Sequence, residues 1–228
     1  MKDKLVENVY WHVGLHKTAT TWVQEGMLSE HPQISLINNP SAPWDNPVVS
    51  YIVDTPKRTY DPDELQARLY GQIEKHVEGA TRAVVVSAER LSGHPISGHY
   101  DRFTIARRIK KTVGHPKLLV TLRNPVNLIP SIYQQLVKEG YSGTFGQLLR
   151  EPSWKRPSFD LSAYDFDEMV SNYYDVMGSS SVKVFLFEDL KKNAENYLGK
   201  WAEEIGVKNF APSNMETESN TATSPGQT

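Results

Sequence analysis

The chain has 228 residues, which suits one domain better than two at the usual domain size of about 150 residues. Hydrophobic residues at 39% and charged residues at 23% are those of a globular protein with a substantial core, and the absence of cysteine excludes disulfide scaffolds, thiolate metal sites and cysteine nucleophiles. With 25 Lys and Arg against 27 Asp and Glu, the net charge of −2 argues against a coat for nucleic acid or anionic membrane, yet leaves room for a local basic pocket.

No segment reads as a targeting or membrane-crossing sequence. Residues 1–14 mix Lys2 and Lys4 with Asp3 and Glu7, and no apolar run follows. The longest apolar stretches are of strand length, against the roughly 18–20 residues a bilayer requires. A cytoplasmic protein with no membrane span and no nucleic-acid partner is expected.

Short apolar runs alternate with helical patterns, the mark of an α/β protein with a parallel sheet. Strands are predicted at 8–13, 33–37, 83–87, 117–122 and 182–187, each a continuous apolar run suited to burial on both faces. A helix begins near Thr20 after the first strand. Residues 38–60, with Pro40, Pro43, Pro47, Pro56, Trp44, Tyr51 and Tyr60, read as a long aromatic loop. Asp61-Pro62-Asp63-Glu64 then gives an N-cap, a first-turn proline and a capping-box Glu, and Leu65, Leu69, Ile73 and Val77 form a buried stripe ended by Gly79. Phe103, Ala106, Ile109 and Val113 predict another helix, with Arg107, Arg108, Lys110 and Lys111 on its solvated face. A second irregular stretch spans 151–158. Residues 211–228 are Ser/Thr/Asn-rich and read as a flexible tail behind a single domain of residues 1–210.

The strongest chemical feature follows the first strand: His12-Val-Gly-Leu-His-Lys-Thr-Ala-Thr-Thr-Trp22. A strand entering a small-residue loop and then a helix aims backbone N–H groups at one point, which makes an anion site. Lys17 adds a full charge, and Thr18, Thr20 and Thr21 add hydroxyls. The loop is not a Walker A motif, because His16 rather than Gly precedes Lys17, and no strand ends in an Asp suited to Mg²⁺. The second feature follows the fourth strand, where Arg123-Asn-Pro125 leads into a helix carrying Ser131. An Arg fork and a hydroxyl form a clamp for a second phosphate. Read alone, Arg123 could equally be a capping ion pair and Ser131 a tolerated surface residue.

Together the two features resemble the sulfotransferases that use 3′-phosphoadenosine 5′-phosphosulfate (PAPS), most of all bacterial members. Lys17-Thr-Ala-Thr-Thr-Trp22 is similar to their 5′-phosphosulfate loop, and Arg123 with Ser131 eight residues on is similar to their 3′-phosphate motif. The resemblance runs in element order over residues 8–210. It implies an α/β fold with a central parallel five-stranded sheet flanked by helices, a three-layer sandwich like that of the P-loop nucleotide kinases. The activity it implies is sulfuryl transfer from PAPS to a hydroxyl of a carbohydrate, lipid or small-molecule acceptor, releasing adenosine 3′,5′-bisphosphate (PAP) without a metal. Two departures stand out. Ala19 occupies a position where Gly is common, and the Arg-Lys-Gly segment of cytosolic members has no counterpart, since no Lys or Arg follows Lys208.

The resemblance also assigns roles. Lys17 would contact the sulfuryl group and the leaving oxygen, and Thr18, Ala19, Thr20 and Thr21 would line the 5′-phosphate. Trp22 would stack on adenine, or else serve as a core residue of its helix. Arg123 and Ser131 would hold the 3′-phosphate. The reaction also needs a base. Glu89, delivered to the sheet edge by the third strand, is the candidate, with His16 as a rival within the loop and His12 read as a core histidine. For Glu89 and Arg123 to reach the Lys17 loop, the first strand must lie between the third and the fourth. The acceptor wall falls to 38–60 and 151–158, whose Trp44, Tyr51, Trp154, Lys155 and Arg156 suit a glycan or anionic acceptor, unless the tryptophans merely pin the loops. Two other readings remain: a nucleotide-type kinase, and a non-catalytic PAP-binding module.

Overall fold

A computed structural model describes residues 8–38, 46–150 and 159–210. Five strands, β1 (Val9–Gly14), β2 (Ile34–Ile37), β3 (Ala83–Ser87), β4 (Lys117–Leu122) and β5 (Val182–Leu186), form one sheet in the order β2-β3-β1-β4-β5. Every pairing is parallel, and each strand lies within a residue of its expected position. β1 sits between β3 and β4, as the placement of Glu89 and Arg123 required.

The helices are α1 (Thr20–Trp22, continuing as a π-helical segment Val23–Leu28), α2 (Pro47–Asp54), α3 (Pro62–His76), α4 (Arg102–Lys110), α5 (Pro125–Lys138), α6 (Phe145–Leu148), α7 (Phe166–Met177), α8 (Phe187–Lys192) and α9 (Ala194–Ile205). They cover both faces of the sheet. On one, Val9, Trp11, Val13, Val84, Val86, Leu118, Val120 and Val182 pack against α2 to α5 and α7. On the other, Tyr10, Val85, Leu119 and Phe185 pack against α1, α8 and α9 through Val23, Met27, Leu190, Tyr197, Leu198 and Trp201. Side chains alternate across a strand, so each run fills both cores. Among the described residues no helix is long and apolar enough to cross a membrane.

Two expectations need correction. Residues 47–54 form a helix instead of part of a loop: Asn46 caps it by accepting from the Val48 and Val49 N–H groups, and Pro47 occupies the first turn. Val48, Val49 and Ile52 are buried. Arg108 is not on a solvated face. It is 7% exposed, donates to the carbonyls of Ile52 and Thr55, and lies 4.3 Å from the Tyr60 ring centroid. Those carbonyls end α2 and lack intrahelical partners, so a buried guanidinium satisfies them. Arg107, Lys110 and Lys111 are exposed as expected, although Lys110 also reaches the Met177 carbonyl at 3.0 Å. The helix beginning at Pro62 ends at His76, before the expected Gly79. Trp44, Trp154, Lys155, Arg156 and the 211–228 tail lie outside the described residues.

Candidate active site

The carboxyl ends of β1, β3 and β4 converge on the loop 15–19. Its shape depends on two left-handed residues, Lys17 (φ 66°) and Ala19 (φ 61°). Ala19 holds the helix-entry position at φ 61°, ψ 32°, a conformation that costs an L side chain about 1 kcal/mol and glycine almost nothing. The methyl in place of the usual glycine is therefore strained. Gly14 is required for a different reason: a Cβ there would stand 2.2 Å from Thr20 Oγ1. Thr20 packs directly on the end of β1, and no side chain caps the start of α1, so its first N–H groups face the loop.

The predicted loop residues divide into two sets. Thr18 is buried, and its hydroxyl donates to the Leu15 carbonyl at 2.6 Å; it shapes the loop rather than offering a free donor. Thr20 is also buried, 3.4 Å from Thr18 by their hydroxyls, while Thr21 is exposed. Trp22 is half-buried against the second core, with its Nε1 unbonded. Lys17 Nζ lies 3.5 Å from Gln135 Oε1, and Gln135 in turn donates to Glu139. Arg123 Nη1 donates to the Lys17 carbonyl at 2.8 Å, so the guanidinium clamps the loop's backbone. Ser131 stands one helical turn before Gln135, on the face of α5 that looks toward Lys17.

His16 and Glu89, read from the sequence as rivals, are partners. His16 Nδ1 is 3.0 Å from Glu89 Oε2, with both side chains about a third exposed. The pairing of β1 with β3, His12 opposite Ser87, sets the two loops side by side. Beyond Glu89 the chain folds into short 3₁₀ turns, Glu89–Ser92 and Pro95–Ser97. Arg90 pairs with Asp101, which also accepts from the His94 N–H. Burial, then the charges of Arg90 and His16, hold the His94 imidazole below its usual pKa, so His94 belongs to the same cluster. Neither His94 nor Gln135 carried a sequence signal beyond proximity, though Gln135 falls at i+4 from Ser131.

Under the loop lies a buried polar rung. His12 is fully buried, with Nδ1 2.8 Å from Ser87 Oγ and Nε2 3.1 Å from Thr121 Oγ1. Gln24, from α1, donates to Ser87 Oγ at 2.8 Å. Desolvation lowers the His12 pKa to about 3, so the ring is neutral. One proton order satisfies the chain: Gln24 to Ser87, Ser87 to Nδ1, and Nε2–H to Thr121. His12 is thus a core histidine, as expected, and it ties β1, β3, β4 and α1 together.

No protein-family model matches the sequence, and no curated protein does. Solved structures do match. A sulfotransferase from Alicyclobacillus acidocaldarius superposes over 92% of this chain and 85% of its own, with a TM-score of 0.66 and 23% identity. The sulfotransferase domain from the curacin biosynthetic pathway matches over 90% of this chain and 75% of its own, with a TM-score of 0.54 and 14% identity. The fold is that of the sulfotransferases. In this sulfotransferase fold the Lys17 loop, the His16–Glu89 pair and Arg123 share the carboxyl edge of the sheet, where open α/β sheets bind ligands.

Proposed function

We propose that the protein transfers a sulfuryl group from PAPS to a hydroxyl acceptor and releases PAP. The observation that carries this reading is the His16–Glu89 pair at 3.0 Å beside a lysine loop that Arg123 clamps. A base, a cation and an anion cradle on one sheet edge are what in-line sulfuryl transfer needs. A pure PAP binder has no use for the base.

In this mechanism the uncapped N–H groups of α1, with Thr20 and Thr21, hold the 5′-phosphate. Lys17 meets the negative charge that grows on the oxygen bridging phosphorus and sulfur. The acceptor oxygen attacks sulfur, the bridging S–O bond breaks, and its electron pair stays on the phosphate of PAP. Glu89 takes the acceptor's proton. His16 holds Glu89 Oε2, leaving Oε1 for the acceptor. Lys17 meets the leaving-oxygen charge that a metal could otherwise carry, so transfer proceeds with a chelator present. Arg123 and Ser131 hold the 3′-phosphate, and Trp22 packs on adenine. The acceptor is a hydroxylated small molecule or glycan, and residues 1–210 act as one catalytic domain.

The test is transfer from labelled PAPS in EDTA to a panel of phenols, sterols and glycans, beside ATP turnover with Mg²⁺. Glu89→Gln should lower turnover by about 10²- to 10⁴-fold with PAP affinity unchanged, and Lys17→Ala by about 10²-fold or more. Wild-type turnover in Lys17→Ala, or ATP turnover without sulfuryl transfer, overturns the reading. If His16→Ala abolishes turnover while Glu89→Gln leaves it intact, the imidazole is the base.

A further inference from the structure

Resting on the reading above, we infer that Lys191 of α8 is the second cation for the donor's 3′-phosphate and sets the preference for 3′-phosphorylated nucleotides. The demand for charge follows from the phosphate itself. A phosphate monoester carries about −2 at neutral pH. Arg123 brings a single charge, and part of its fork is spent on the Lys17 carbonyl. One guanidinium with one free edge leaves such a dianion half-neutralised.

The geometry supplies the other charge at the same ring. Arg123 Cζ lies 4.7 Å from the centroid of Phe187, and Lys191 Nζ lies 5.3 Å from that centroid. Phe187 is the first residue of α8, directly after β5, which pairs with β4 just before Arg123. Lys191 follows one turn on, which puts Phe187 and Lys191 on one helix face. The half-buried ring gives both cations an apolar contact that favours extended side chains over free rotation. Glu188, whose charge acts on Arg123, has its Oε1 held by the Asn124 N–H at 2.9 Å and adds negative charge beside the guanidinium, which sharpens the need for a second cation. Lys191 is itself exposed and forms no ion pair among the described residues, so its charge is available. Its neighbour Asp189 is bound to Lys200 at 3.0 Å.

The experiment compares PAP with adenosine 5′-phosphate, which lacks the 3′-phosphate, by calorimetry on wild type and on Lys191→Gln and Lys191→Ala. Wild type should prefer PAP. Both variants should lose about tenfold in PAP affinity and less than twofold for adenosine 5′-phosphate, and the salt dependence of PAP binding should become shallower. Both should melt as wild type does, because the side chain is exposed. A wild-type protein that prefers PAP, with variants that keep the full preference, overturns the role of Lys191 and leaves the sulfotransferase reading standing. A wild-type protein with no preference for PAP overturns both.

Discussion

On the sheet face covered by α2 to α5 and α7 the strands stay apolar to their carboxyl ends, through Val13, Val86, Ala88 and Leu122. On the face covered by α1, α8 and α9, the row of Tyr10, Val85 and Leu119 gives way to His12, Ser87 and Thr121 two residues on. The same strands therefore end in two kinds of contact. Apolar packing is non-directional and tolerates small shifts, whereas a hydrogen-bonded rung fixes angles and register. The rigid rung lies directly beneath the Lys17 loop, and Gln24 extends it into α1. One face holds the protein together; the other also holds the loop in position.

Substitutions matched for cost test that division. Leu118→Ala on the first face and His12→Leu on the second should each cost about 3 kcal/mol in urea unfolding, one by a cavity and the other by stranding buried Ser87, Thr121 and Gln24 groups. Only His12→Leu should also weaken PAP binding, by about tenfold under conditions where both variants are folded. Equal PAP affinity in the two variants would reduce the rung to ordinary core.

Acid brings out a smaller effect that the faces share. His99, which sits between the Ser92 carbonyl and the hydroxyl of Tyr164 of the first core, has its pKa lowered to about 3 by burial and by the charge of Arg102. His12 is lowered to about 3 by burial alone. Both groups are depressed in the folded state, so the unfolded chain binds more protons below its own value of 6.5. Stability from each is complete above about pH 6.5 and is lost as pH falls toward 3, amounting to about 2 kcal/mol each at pH 5. Urea midpoints at pH 7 and pH 5 should show this loss, and His12→Gln and His99→Gln should each flatten it by about one proton. An unchanged slope in His12→Gln would mean that its ring is not neutral in the native state.

The smallest effect lies in the loop. Ala19→Gly relieves the left-handed backbone at φ 61° and should raise stability by up to about 1 kcal/mol, read as a higher Tm. A lower Tm would show that the methyl's contacts outweigh the strain.

The sheet was legible because the inner strands are largely apolar runs of strand length, as in Val84, Val85 and Val86, all fully buried, whereas the edge strand β5 leaves Val184 and Leu186 exposed. α2 was not legible, since Pro40, Pro43 and Pro56 surround Asn46-Pro47 and mask what is, in isolation, an N-cap and first turn. Arg108 was misread because its burial depends on carbonyls 53 and 56 residues away. In the site, Lys17 and Arg123 stood out by their loops, but their direct bond did not. The His16–Glu89 contact depends on which strands are neighbours, a fact no local pattern encodes.

Two segments far apart in the chain, β1 and α9, meet at one spot. Trp201 of α9 lies edge-on against the His12 ring with centroids 4.8 Å apart, and the Tyr10 hydroxyl donates to the Ile205 carbonyl at 3.1 Å. Contacts of such long sequence separation close late, and domains emerging from the ribosome fold as units. Until α9 has left the exit tunnel, the His12 face of β1 lacks its Trp201 cover and His12 stays wet and titratable. The lysine loop, made well before α9, therefore becomes a finished anion cradle only when that helix arrives. A ribosome stalled before Trp201 displays a chain that carries the whole motif and lacks the floor that would let it grip.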